Sequence, residues 1–437
     1  MITPLKRVLV RRPDADALPE PGEEVGGLLD RTVVLKLNGG LGTSMGMTRA
    51  KSLLEVRDGL SFLDIIARQV LALRGAHAVD AAPRLPLILM DSFRTRTDSL
   101  AALAAHGPLS AGLDPDFVQS RVPKLLDDGT LAPAAWPADP ELEWAPPGHG
   151  DLYPALAGSG MLATLLEQGY RWAFVSNADN LGAVLDPAIL GYIVDKGLPF
   201  LMEVADRTAA DRKGGHLARR PDGGLLLREI AQCPASDLPT FQDIERHRYF
   251  NTNNLWLHLP TLRATLAANN NELDLPMIRN RKTVDPRDPD STPVYQLETA
   301  MGSALAVFKG AEAIRVPRAR FAPVKKTDDL LAVRSDAYQL TRDFRVVLAR
   351  ERRGRPPAVE LDNSFYRLVD DLDCRFPAGA PSLRECERLR VEGAFVFGPG
   401  VVVRGEVTFR NPNGRCIEVP GGLTVVDCVW PAEEPSP

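Results

Sequence analysis

The stretch Lys36-Leu37-Asn38-Gly39-Gly40-Leu41-Gly42-Thr43-Ser44-Met45-Gly46 continues the apolar, β-branched run Thr32-Val33-Val34-Leu35. A strand that opens into a glycine loop is the start of a phosphate-binding α/β unit. Glycines lack the Cβ that would keep backbone N–H groups from a polyphosphate, and amides aimed one way form an anion nest. The spacing lacks both the third glycine of the dinucleotide fingerprint and the Gly-Lys-Ser/Thr ending of the P-loop. On local grounds alone, a plain tight turn is the competing reading.

Outward from this junction, strand and helix patterns alternate. SFLDIIARQVLALRG has helical spacing, as do MLATLLEQGY and DPAILGYIVDKG, while LPLILM, WAFVSN, PFLMEV, LLLREIA and NTNNLWLHL are apolar runs of strand length. Alternation of this kind predicts βαβ units and a mixed, mostly parallel sheet, with ligands outside the carboxyl ends of the strands. The sequence divides into a Pro- and Glu-rich leader over 1–30, a main α/β unit over 31–335, a charged helical linker over 336–360, and a β-only unit over 361–437. In this last part, short runs broken by Gly or Pro fit a small parallel β-helix or another β-only domain. The tail PAEEPSP reads as disordered.

The 437 residues suffice for two or three domains. A net charge of -5 argues against a broad nucleic-acid surface but leaves room for a small basic pocket. No apolar run reaches membrane-spanning length, and the N-terminus lacks the apolar core of a signal peptide. The scattered cysteines (Cys233, Cys374, Cys386, Cys416, Cys428) read as reduced thiols of a cytoplasmic protein with no zinc site.

LNGGLGTSMG and the following AKSLLEVRDGLSFLD resemble the opening of the eukaryotic-type UTP–glucose-1-phosphate uridylyltransferase (UDP-glucose pyrophosphorylase) family. The resemblance continues in order through LPLILMDSF, PPGHGD, FVSNADNLGA, FLMEVADRTAADRKGG, EIAQ, FNTNNLW, QLETAMG and VPRARFAPVKKTDDLL, covering residues 32 to 331. It implies a Rossmann-like nucleotidyltransferase domain followed by a small left-handed parallel β-helix. The implied reaction converts UTP and glucose 1-phosphate into UDP-glucose and pyrophosphate, with Mg²⁺ as cofactor. Two features depart from the family. Arg49-Ala50 stands where Gly-Pro is usual, adding a positive charge near the phosphates, and the N-terminal helical region is mostly absent.

Both attacking and leaving groups in such a reaction are anionic, so the protein must align them and neutralise charge and need not supply a nucleophile. The resemblance assigns Lys51 to the pyrophosphate portion of UTP and Lys325 to the transferring phosphate as catalytic lysines. Its neighbour Lys326 is the alternative for the second role, and a plain surface lysine is the bland reading of Lys51. Leu37, Asn38, Gly39, Gly40, Gln119, Gly148 and Asp179 are the nucleotide positions, with the Gln119 amide facing uracil. His149, Asn177, Gly215, Glu229, Asn253 and Lys325 are the sugar-phosphate positions, with Asn254 beside them. Asp179 is the implied Mg²⁺ ligand, because Mg²⁺ needs only one or two carboxylates beside phosphates and water; an Asx turn is its structural alternative. Glu298 either reaches the pocket or caps a helix it opens.

Two other functions stand beside this one. A broad-specificity UDP-sugar pyrophosphorylase would share the motifs, and a non-catalytic UDP-sugar-binding protein would have no need of all three of Lys51, Asp179 and Lys325. The sequence leaves the oligomeric state and the choice of sugar open.

Overall fold

The structure is a computed structural model that describes residues 3–4, 18, 25–78, 81–208 and 211–431. Most of the leader and nearly all of the PAEEPSP tail lie outside the described residues. The central sheet has strands β1 (Thr32–Asn38), β2 (Leu87–Asp91), β3 (Asp116–Val118), β4 (Trp172–Asn177), β5 (Phe200–Asp206), β6 (Tyr249–His258) and β7 (Glu312–Arg315). Their spatial order is β3-β2-β1-β4-β6-β5-β7. β3, β2, β1 and β4 pair in parallel, as do β5 and β7, while β6 opposes both β4 and β5. All strands but β6 therefore point their carboxyl ends the same way. A hairpin of His216–Arg219 and Leu225–Arg228 joins β6 at Phe250, beyond the carboxyl end of β4.

Helices cover both faces, so the strands are apolar throughout rather than alternating. On one face Val34, Leu89, Phe174 and Trp256 pack against α1 (Phe62–Ala76) and α3 (Pro187–Lys196); on the other Leu35, Ile88, Val175 and Leu257 meet α2 (Leu152–Gly158) and α4 (Leu259–Ala268). Local chemistry sets the helix ends. Ser61 and Asp64 form a capping box at α1, and Asp186 caps α3, which has Pro187 in its first turn and left-handed Gly197 at its end.

After α5 (Thr327–Arg334), the expected helical linker is corrected. Tyr338–Leu340 and Val346–Leu348 form an antiparallel hairpin, followed by a 3₁₀ turn at Arg350–Arg352. The charges of the segment suggested a helix, but Tyr338, Val346 and Ala349 are buried, and β-branched Val346-Val347 prefers a strand. Farther on, Ala358–Leu361, Ser382–Glu392, Val402–Arg410 and Thr424–Val426 stack in parallel, and Phe395–Phe397 pairs in parallel with Ile417–Val419. Their inward side chains, Leu361, Leu389, Phe395, Phe397 and Phe409, belong to the same apolar cluster as Val34 and Phe62 of the sheet. All five cysteines are free, with Cys386 alone buried among them. No described helix is long and apolar enough to cross a membrane.

Candidate active site

The sequence-derived positions gather beyond the carboxyl ends of the strands, in four groups. The first surrounds the glycine loop. The amide of Gln119, just after β3, lies so close to Gly39 that a Cβ there would sit 2.6 Å from Nε2. A side chain at Gly39 would displace the Gln119 amide, while nothing lies within 4 Å of a Cβ on the exposed Gly40, which faces open space as a phosphate cradle would. Gly42 and Gly46 adopt left-handed φ of 65° and 81° at the ends of the 3₁₀ turn Thr43–Met45. The side chain of Asn38 is buried and committed, donating to Asp91 Oδ1 and Ser99 Oγ at 2.7 Å. Both Nδ2 hydrogens of Asn38 are thereby engaged within the protein. The partly buried Leu37 accepts the amide of Ala178 through its carbonyl, joining this loop to the next.

The second group is ionic. Lys51 Nζ lies 2.7 Å from Asp179 Oδ2, at the end of a loop leaving β4, which ends in Asn177. Asp179 Oδ1 is buried and has no protein partner. No group of three or more His, Cys, Asp or Glu among the described residues is arranged to hold a metal. A single carboxylate with one unpaired oxygen suits Mg²⁺, which takes its other ligands from phosphates and water. The carbonyl of Asp179 accepts the amide of Val324 at 3.1 Å, which brings the next residue, Lys325, to the same loop. Asp329 accepts the amides of both Lys325 and Lys326 at 2.8 and 3.0 Å and fixes this turn. The two side chains act in different fields. Lys325 acts on Glu229, whereas Lys326 acts on Asp328, whose Oδ1 accepts the amide of Leu361.

The third group is at Gly148 and His149. Gly148 has φ 82°, and a Cβ there would lie 2.6 Å from the carbonyl of Thr299. His149 Nδ1 accepts the amide of Met301 at 3.0 Å, so the proton of the neutral ring is on Nε2. Burial holds its pKa down at about 4. Asp151 accepts the amide of Ser120, beside Gln119, and couples this group to the first. Glu298 belongs to the strand Pro293–Thr299, with its Cβ 2.9 Å from a Cβ placed on Gly148. The reading of Glu298 as a helix cap is therefore corrected.

The fourth group lies on the hairpin and β6. A Cβ on Gly215 would sit 2.6 Å from Glu229 Oε1, and Gly215 O accepts the amide of Asn251. Burial pushes the Glu229 carboxyl up to about 7, against the pull of Lys325. Asn253 is held in a left-handed conformation with φ 59° by reciprocal hydrogen bonds with Asn251. Asn254, expected beside it on the sugar, points into the protein instead. Successive residues of a strand face opposite sides, and the fully buried Asn254 donates to Glu203 Oε2 at 3.0 Å. Arg49, expected near the phosphates, lines a shallow acidic cavity with Glu55, Asp64 and Asp98.

Sequence reasoning missed a buried polar belt under these loops. Lys36 Nζ donates to Ser176 Oγ and to the carbonyl of Ala183, both at 2.7 Å. Arg320 grips Glu203 through two hydrogen bonds of 2.7 and 2.8 Å, and Trp256 Nε1 also donates to Glu203. The available signal was a lone charge inside an apolar strand, Lys36 in TVVLKL and Glu203 in PFLMEV, since such residues are almost never fully buried without a partner.

The family model described as UTP–glucose-1-phosphate uridylyltransferase matches residues 2–404. The chain belongs to the UTP–glucose-1-phosphate uridylyltransferase family. Among uridylyltransferase relatives, the Pyrus pyrifolia protein of that name is 40% identical over 97% of this chain and 87% of its own. A Schizosaccharomyces pombe protein named a probable member is 40% identical, over 93% of this chain and 79% of its own. A variant of UDP-glucose pyrophosphorylase from Leishmania major, solved in complex with UDP-glucose, is 47% identical, with a TM-score of 0.89 and coverage of 98% of this chain and 90% of that one. A UDP-glucose phosphorylase from Trypanosoma brucei is 45% identical, also with a TM-score of 0.89 and the same coverage.

Proposed function

We propose that this chain makes UDP-glucose and pyrophosphate from UTP and glucose 1-phosphate. The observation that carries the reading is the meeting of Lys51, Asp179 and the Lys325 turn at the carboxyl end of β4, in a chain of this family. In the reaction an oxygen of the sugar phosphate attacks the α-phosphorus of UTP and forms a new P–O bond. The bond from that phosphorus to the bridging oxygen breaks, and its electron pair leaves with pyrophosphate. No protein group is covalently altered.

The loop of Leu37, Asn38, Gly39 and Gly40 offers backbone amides to the phosphates, and Gln119 with Gly148 receives the uracil. Lys51 neutralises the leaving pyrophosphate and Lys325 the transferring phosphate. His149 donates from Nε2 to the sugar phosphate, while Asn177, Gly215, Glu229 and Asn253 hold the hydroxyls. Mg²⁺ bound at Asp179 would supply positive charge between phosphate oxygens. On the same reading, 31–335 is the nucleotidyltransferase unit, the parallel strands of 358–430 are turns of the family's left-handed β-helix, and the protein works in the cytoplasm with its thiols reduced.

The test is product identification. UTP, Mg²⁺ and glucose 1-phosphate are expected to give UDP-glucose and pyrophosphate in equal amounts by chromatography, and absence of both would refute the reading. On this reading the choice of sugar rests on the few hydroxyl contacts of Asn177, Gly215, Glu229 and Asn253. For that reason galactose and N-acetylglucosamine 1-phosphates belong in the same assay. Comparable kcat/KM for several sugars would favour the broad-specificity alternative.

A further inference from the structure

The loop 178–184 carries Asp179 and has no regular secondary structure of its own over most of its length. Its position is set from below. Lys36 Nζ holds the carbonyl of Ala183 and Arg320 holds the next carbonyl, that of Val184, at 2.7 and 2.9 Å. Lys36 also holds Ser176 Oγ, on the last turn of the pleat before the loop begins, so one ammonium ties both ends of the segment. Asn180 fastens the middle, accepting the amides of Gly182 and Ala322 and donating to the carbonyl of Arg320.

We infer that Lys36 is a positioning residue for uridylyl transfer: its ammonium, bridging Ser176 and Ala183, holds the 178–184 loop so that Asp179 stays aligned with Lys51 and the Lys325 turn. This rests on the uridylyl-transfer reading. A fully buried lysine bonded only to a hydroxyl and a carbonyl carries a desolvation cost that an apolar side chain of like volume would avoid. The Phe174 ring lies 5.7 Å from Nζ, and the buried Glu203 carboxylate, gripped by Arg320, attracts the ammonium. Both hydrogen bonds that the ammonium makes go to the two ends of the Asp179 loop, so its position serves the geometry of that loop. Burial and the nearby Arg320 guanidinium bring the ammonium down to about 7, against the pull of Glu203. Misplacement of a phosphate-positioning group by about 1 Å costs on the order of 100-fold in rate.

The deciding variant is Lys36→Met in the full chain. Its kcat is expected to fall by roughly 10- to 100-fold with KM for UTP changed by less than about threefold. Its thermal midpoint should stay within about 4 °C of wild type. UDP-glucose affinity measured by calorimetry without metal should change by less than about threefold, because Gln119, Gly148, Gly215, Glu229 and Asn253 lie on segments that Lys36 does not touch. Unchanged kcat in a folded Lys36→Met protein overturns the assignment, and so does an activity loss matched by a collapsed thermal midpoint. No turnover by the wild-type chain would instead overturn the uridylyl-transfer reading itself. If Lys36→Met does not fold, Ser176→Ala decides, since it removes one acceptor and leaves the ammonium in place. A several-fold fall in its kcat at wild-type thermal midpoint supports the role, and wild-type kcat contradicts it.

Discussion

The two adjacent lysines at 325 and 326 share one backbone anchor, Asp329, and differ in the carboxylate each attracts, Glu229 for Lys325 and Asp328 for Lys326. Lys325→Ala is expected to lower kcat by about 100-fold or more with little change in UTP affinity, the pattern of a group that acts in the transition state. Lys326→Ala should leave kcat within about threefold, and steady-state kinetics on both variants check the assignment. Glu229 supplies a pH test. Its carboxyl titrates near 7, so its ionised form, the better acceptor for sugar hydroxyls and the one that attracts Lys325, accumulates as pH rises through that value. The kcat/KM for glucose 1-phosphate should rise with pH across that region, and Glu229→Gln should flatten the limb. At this scale the sequence was informative on placement where a residue sits in a distinctive motif, as for Lys51 and Asp179, which meet at 2.7 Å. It was silent on Lys36 and misled on Asn254, because which side of a strand is wet depends on what packs there.

Elements show the same division. Helix α1 was legible from its apolar spacing and from Ser61 with Asp64 three residues on, and the strands from their apolar runs. The hairpin 338–348 was not, since charged residues suit an exposed helix as readily as a strand whose outer face is wet. The hairpin 216–228 contributes His216 to a pair with His247 that has a measurable consequence. The ring of His216 stacks on His247 at 4.0 Å, and Arg207, Arg228 and Arg246 surround them, with Asp237 and Asp243 as opposing charges. Burial, the largest cause, takes His216 to about 2 and His247 to about 4, from an ordinary 6.5. The unfolded chain therefore binds protons that the folded chain refuses, and stability falls as pH drops from 6.5 toward 4. Urea midpoints should decline across that window, and His247→Phe should make the decline shallower. A midpoint independent of pH there would show that the pair is not neutral in the fold.

Across the whole molecule, the main outcome is that the C-terminal strands and the nucleotide sheet share one core. Leu361, Phe395 and Phe409 belong to the cluster of Val34, Phe62 and Phe174, and Asp336 accepts from Ser382 Oγ and the amide of Leu383 at 2.7 and 2.8 Å. Calorimetry of the full chain is expected to show one cooperative transition, whereas two separate ones would mean the shared core is not continuous. Alternating strand and helix patterns pointed to an α/β protein, but only three-dimensional contact joins the glycine loop, through Gly46 against Leu368, to the far end of the chain. The central claim is that this assembly transfers a uridylyl group directly between two bound anions with no protein nucleophile. Isotope exchange between labelled pyrophosphate and UTP tests it in one measurement, made with and without glucose 1-phosphate. Exchange is expected only when the sugar phosphate is present. Label entering UTP in its absence would reveal a uridylylated protein, and no exchange in its presence would contradict the activity itself.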